Sequence, residues 1–243
     1  MRKSIAAAII AASAATSACG HSREEDGGPV GARNFPVGAF TEIEAAGPYD
    51  VTVKTGSAPS VSAKGPQKVL EHMVVEVTNG KLSIHAEKDH SNWFHHGVHY
   101  RGKVELVVTV PSLTAATLAG AGDMHIDKVQ GNSFKGTLAG AGGLHVDSIQ
   151  VQSLEFTIAG AGDAKLGQGT ANSADYSIAG AGDIDAKGVT SETAKVSIAG
   201  SGSVSTNAKG AADVSIMGAG NVDIGGGAKC SVHKMGAGDV RCS

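Results

Sequence analysis

Aromatic residues are scarce in this chain, at 4% of 243 positions with a single Trp. A core built without them must come from small aliphatic side chains. There is no tract of Lys or Arg, and the net charge is −3 at pH 7. Phosphate recognition needs a cationic patch, so this balance argues against a nucleic-acid partner. Arginine is almost missing from the later chain: from residue 101 onward only Arg101 and Arg241 occur. No Ser/His/Asp motif, phosphate-binding Gly-Lys loop or Cys-x-x-Cys is present, and the acids do not gather beside a basic residue as in glycan-cleaving sites. No catalytic residue and no cofactor are assigned, and the reading is of a protein that is not an enzyme.

What is present begins with a leader. Met1-Arg2-Lys3 is positive, residues 4–16 are small and largely apolar, and Ser17-Ala18-Cys19 is followed by polar residues. This reads as a signal peptide over 1–18, too short to span a bilayer. Cys19 directly after Ser-Ala looks like a bacterial lipobox, although Thr16 stands where Leu is usual; simple signal cleavage is the alternative. Acylation of Cys19 would attach the chain to a membrane without a spanning segment. Gly20 after that Cys resembles an outer-membrane sorting signal, with the orientation, periplasmic or surface-facing, left open. Residues 19–33 then form a polar tether. With Cys19 lipidated, Cys230 and Cys242 remain as a pair in an oxidising compartment, where a disulfide is expected and two buried thiols are the alternative.

The dominant signal is a repeat. Glycine pairs occur at Gly120/Gly122, Gly140/Gly142, Gly160/Gly162, Gly180/Gly182, Gly200/Gly202, Gly218/Gly220 and Gly236/Gly238. The first glycines are spaced by 20 residues four times and then by 18 twice. Around each pair the residues alternate: Leu154, Phe156, Ile158, Gly160, Gly162, Ala164 and Leu166 share one parity, while Glu155, Thr157, Asp163 and Lys165 share the other. Period two is the signature of a strand with one buried face. About 20 extended residues suit one coil of a single-stranded parallel β-helix, too short for a propeller blade. The fold class is therefore all-β, a β-solenoid, with crossover preferences favouring a right-handed coil. The inward parity of both glycines in each pair predicts that missing side chains let the opposite wall approach closely, or let the chain bend with positive φ.

Residues 34–117 are strand-like but less regular and read as the first coils and cap of one domain, 34–243, whose regular repeats occupy 118–243. "MVVEVTNGKLSIHAEK" (73–88) looks like a hairpin with Asn79-Gly80 at its turn. Lys234 in place of Ile, and Cys242 at an inward parity, suit a cap at the other end. The stretches "FTEIEAAGPYDVTVKTG" (40–56), "NGKLSI" (79–84), "VELVVTVPSL" (104–113) and the recurring "GAGD" resemble a bacterial envelope family, the putative auto-transporter adhesin, head GIN domain proteins. The resemblance implies a β-helix exported to the cell envelope and carries no catalytic residues.

Two groups of residues invite a chemical reading. In "KDHSNWFHHGVHY" (88–100), His90, His95, His96 and His99 are candidate metal ligands, and Trp93 and Phe94 are candidates for stacking on sugar rings. A solvent-exposed insertion between strands is the plainer alternative. Asp123, Asp163, Asp183 and Asp239 share one register, where stacked like charges need a cation, such as Ca²⁺, or hydrogen-bond donors between them. The function expected is a non-catalytic exported lipoprotein, an adhesion or envelope-organising module whose partner is a glycan or an envelope protein. The alternative is a carbohydrate or metal binder using loop 88–100, and a polysaccharide lyase or hydrolase ranks last.

Overall fold

The computed structural model describes residues 23–87 and 98–243. They form a β-solenoid of about six turns, and each turn is set at a glycine corner. The first glycine of every pair has φ between +133° and +141°, a region that residues with a Cβ rarely enter. At each corner the following residue donates its N–H to the first glycine of the coil beneath: Ala161 to Gly140 O, Ala181 to Gly160 O and Ser201 to Gly180 O, each at 2.9 Å. A Cβ on Gly160, Gly180 or Gly200 would land on that same carbonyl oxygen.

The second glycines behave differently from the first. Gly122, Gly142, Gly162, Gly182, Gly202, Gly220 and Gly238 are all buried, and each falls between two strands, not inside one. None of the seven has positive φ, so the expected left-handed bend belongs to the first glycine alone. The expected approach of the opposite wall over Gly122, Gly202 and Gly220 is also corrected. A Cβ on Gly122 would strike the main chain of Tyr49, one on Gly202 the oxygen of Gly182, and one on Gly220 the oxygen of Gly202 and the side chain of Ile198. Gly142, Gly182 and Gly238 likewise sit against the main-chain oxygen of the second glycine below them. The close neighbour is thus the adjacent coil. Parallel strands lie only about 4.8 Å apart, and the corner brings two main chains into direct contact.

In the coil 143–162 the other two corners carry no glycine. In the coil 143–162 the buried residues are Leu144 and Val146, then Ile149 and Val151, then Leu154, Phe156 and Ile158. The spacing of two slips to three between 146 and 149 and again between 151 and 154. Each slip turns the chain while keeping apolar side chains inside, so three short runs enclose the core. Asp147 and Gln152 sit at the slips, and the register over them to the coil below skips Asp127 and Asn132.

Along the chain, the first elements are β1 (Arg23–Asp26), β2 (Val30–Phe35), β3 (Glu42–Ala46), β4 (Tyr49–Thr55), β5 (Ser60–Pro66), α1 (Gln67–Glu71), β6 (Met73–Thr78), β7 (Lys81–Ala86), β8 (Val98–Arg101), β9 (Val104–Val110) and β10 (Ala115–Gly120). They are not stacked in sequence order. β3 lies between β7 and β10, and β4 between β9 and β11 (Asp123–Gly140). The β3–β4 link is itself a corner of the repeat: Gly47 has φ +146° and donates its N–H to Ala119 O at 2.9 Å. Pro48 and Tyr49 follow it where Ala and Gly stand elsewhere, which hides the match in the sequence. β7 and β9 form the next level down, and β5, α1 and β6 close the end. There the strands run antiparallel, β2 to β5, β5 to β9 and β6 to β7, and Leu70 of α1 is buried. The expected Asn79-Gly80 turn joins β6 to β7, both residues at positive φ.

The regular coils are β11, β12 (Gly143–Gly160), β13 (Asp163–Gly180), β14 (Asp183–Gly200) and β15 (Ser203–Gly218), followed by β16 (Asn221–Gly225), β17 (Lys229–Gly236) and β18 (Val240–Cys242). β15 is two residues shorter, and its register to β14 shifts between Ala186 and Thr190 and between Ser191 and Thr193. Core volume is traded between neighbouring registers: Phe134 with Gly136, Leu154 with Phe156, Ala174 with Tyr176. A Cβ on Gly136 would strike the Phe156 ring. Buried Thr206 donates to the Tyr176 hydroxyl at 3.4 Å, and burial pushes that phenol up to a pKa of about 12. At the C-terminal end Lys234 sits over Ile216 and donates to Gly238 O at 2.6 Å. Cys230 is bonded to Cys242, as expected, and ties β17 to β18.

Gly180→Ala is expected to lower unfolding free energy by at least about 2 kcal/mol, combining backbone strain with main-chain overlap. Ala181→Ser, at the position that Ser201 fills one coil later, should be neutral within about 0.5 kcal/mol. Chemical denaturation of the two variants checks both.

Candidate functional site

The Asp row is the first candidate, and donors occupy the space between its members. Asp123 Oδ1 accepts from Gly143 N at 2.9 Å, Asp163 Oδ1 from Asp183 N at 3.2 Å and Asp183 Oδ1 from Ser203 N at 2.7 Å. Asn221 Oδ1 accepts from Asp239 N at 3.1 Å in the same way. Each side chain thus caps a main-chain N–H of the coil above, just past the glycine corner. In the one directly stacked pair, Asp163 and Asp183, a main-chain N–H therefore lies beside the lower carboxylate, which gives the motif a capping role that does not involve Ca²⁺.

The long runs after the second slip carry a flat, ordered outer surface. One row, pointing outward between the buried positions, reads Thr117, Thr137, Thr157, Ser177, Ser197 and Ser215 in direct register. The row on one side of it is alanine, from Ala119 to Ala199. The row on the other side carries mixed charge, with Lys135 Nζ 2.6 Å from Glu155 Oε1 and Lys195 Nζ 3.9 Å from Asp175 Oδ2. Such exposed pairs contribute only about 0–1 kcal/mol each, so this surface is free to exchange them for ligand contacts. Beside it an open groove of about 550 Å³ crosses five successive coils, lined by Ser153, Glu155, Asp175, Lys195, Asp213 and Lys229 among others.

On another run His125 and His145 sit one above the other, with ring centroids 5.0 Å apart. Asp147 reaches both, Oδ2 lying 2.8 Å from His125 Nε2 and Oδ1 lying 3.0 Å from His145 Nε2. Asp127, one coil below Asp147, is engaged elsewhere and accepts from Thr55 N at 2.9 Å and Thr55 Oγ1 at 3.0 Å. The histidine pair is not evident in the sequence because its members are 20 residues apart and become neighbours only when the coils stack. Two His separated by one repeat length were the available signal.

Of the histidines expected to hold metal, His90, His95 and His96 lie outside the described residues, as do Trp93, Phe94 and Cys19. The backbone of His99 belongs to β8, paired with β1 opposite Glu24. Among the described residues no helix is long and apolar enough to cross a membrane.

A family model described as "Putative auto-transporter adhesin, head GIN domain" matches residues 39–228. The chain belongs to this family. The GIN-domain protein also resembles solved structures. A Parabacteroides distasonis structure described as a putative lipid binding protein aligns at TM-score 0.74 and 22% identity, over 91% of this chain and 100% of that one. A putative adhesin from Bacteroides fragilis aligns at 0.75 and 24%, over 88% and 97%. A further putative adhesin, from Parabacteroides merdae, aligns at 0.70 and 18%, over 91% and 98%. Identities this low establish the shared solenoid. No curated protein matches the GIN-domain chain.

Asp183→Ala should destabilise by about 1 kcal/mol through the uncapped Ser203 N–H. Asp183→Asn should retain most of the wild-type stability, because Asn221 makes the same cap two turns on. Urea denaturation midpoints distinguish the two.

Proposed function

We propose that this GIN-domain protein is an exported, lipid-anchored, non-catalytic binding module that holds a glycan or envelope partner on its flat outer face. The supporting observation is the in-register hydroxyl row from Thr117 to Ser215, flanked by alanine on one side and mixed charge on the other. A row repeated at coil spacing offers many equivalent weak contacts, and simultaneous engagement raises avidity without any deep pocket. Four of the acids have a structural role: Asp123, Asp163 and Asp183 cap main-chain N–H groups, and Asp127 holds Thr55. The expected polar tether 19–33 is largely taken up by the fold, since residues 23–26 and 30–35 are the paired strands β1 and β2, so a Cys19 anchor would hold the solenoid by its N-terminal end with only a short spacer.

The test is binding of the purified protein to a glycan array and to isolated envelope fragments. Replacing Thr137 and Thr157 by Val and Ser177 by Ala together should abolish retention while leaving the melting temperature within a few degrees, because all three point outward and the changes add no charge. Retention unchanged in that variant but lost in Trp93→Ala would replace the flat-face reading with the loop 88–100 reading.

A further inference from the structure

We propose that His125, His145 and Asp147 form a binding site for a divalent transition metal of the Zn²⁺, Co²⁺, Ni²⁺, Cu²⁺ class, independent of the histidines in segment 88–100. The donor set carries the assignment. Two imidazoles and one carboxylate suit these ions, whereas Ca²⁺ and Mg²⁺ take all-oxygen shells. One donor atom from each of the three residues lies within 4.8 Å of the others. Tetrahedral bonds of about 2.0–2.1 Å bring donor atoms to roughly 3.3 Å of one another, so small side-chain rotations suffice to close the site.

The backbone provides the alignment. His125 and His145 pair directly across β11 and β12, and parallel pairing fixes their Cα atoms about 4.8 Å apart. Asp147 stands at the slip two residues after His145, where the chain turns and its side chain swings back across both rings. With no metal, its two oxygens meet the two Nε2 atoms and hold the rings facing one carboxylate. Binding requires each neutral imidazole to carry its proton on Nδ1, leaving Nε2 to ligate. The residues are half-exposed, with side-chain exposures of 52%, 39% and 49%, so water completes the shell. The site is confined to two neighbouring rungs of the stack: the same row continues as Thr52 below His125 and Lys165 above His145. A cation-bearing Lys at the next rung marks where the metal-binding row ends.

Titration of the purified protein with Co²⁺, followed by visible absorption and by calorimetry with Zn²⁺, tests this. To silence the histidines of residues 88–100, the same titrations are run on a variant with His90, His95, His96 and His99 replaced by Ala. The expected result is one equivalent of metal in both proteins, with affinity lowered about tenfold or more by His145→Ala and by Asp147→Asn, and unchanged by Asp185→Asn two rungs up from His145. In the unmodified protein, Cu²⁺ should broaden the amide signals of residues 125 and 145–147 first, a readout that does not depend on any variant folding. No metal binding, binding lost with the four loop histidines, or binding indifferent to His125 and His145 would overturn the assignment.

Discussion

Everything in this molecule follows from main chain touching main chain at one corner of each coil. The carbonyl of Gly160 accepts from Ala181 N and also fills the space that a Cβ on Gly180 would need. The corner therefore demands glycine twice over, for its φ and for its neighbour. Once the corner is fixed, parallel hydrogen bonding carries the register around the rest of the coil, and every outward residue is placed above its counterpart one repeat earlier. The Asp caps, the hydroxyl row and the His pair are consequences of that register.

The repeat, the strand parity and the terminal disulfide were legible because each has a local or periodic signature. Leu154, Phe156 and Ile158 alternate with Glu155 and Thr157, and the structure buries the first set. The neighbour of the glycines was misread because sequence parity distinguishes inside from outside but not the axial direction. The same limit hid the difference between Gly200, which bends the chain, and Gly202, which only makes room for the coil beneath. The threading of the N-terminal end was not legible. The place of β3–β4 above β7–β9 depends on non-local pairing, and Gly47 is disguised by Pro48-Tyr49. The short helix α1 was also missed, since five residues leave no helical period to detect. His125 and His145 became a pair only when coil stacking placed them together.

The solenoid separates stability from recognition. The core is a stack of small aliphatics and a few exchanged aromatics, while the outward positions are largely polar and make mostly weak contacts with one another. Such a scaffold can vary its outer rows at little cost, because substitutions there leave the corner ladder and the core registers untouched. The His125–His145–Asp147 cluster is one such local departure, where the row changes character for two rungs.

The stacking itself is best tested by distance. Spin labels at Ala141 paired in turn with Ala181, Ser201 and Ala219 sit at exposed corner positions two, three and four coils apart. The account predicts separations growing in equal steps of about 4.8 Å per coil. Unequal steps, or labels at 141 and 219 much farther apart than roughly 19 Å, would contradict it.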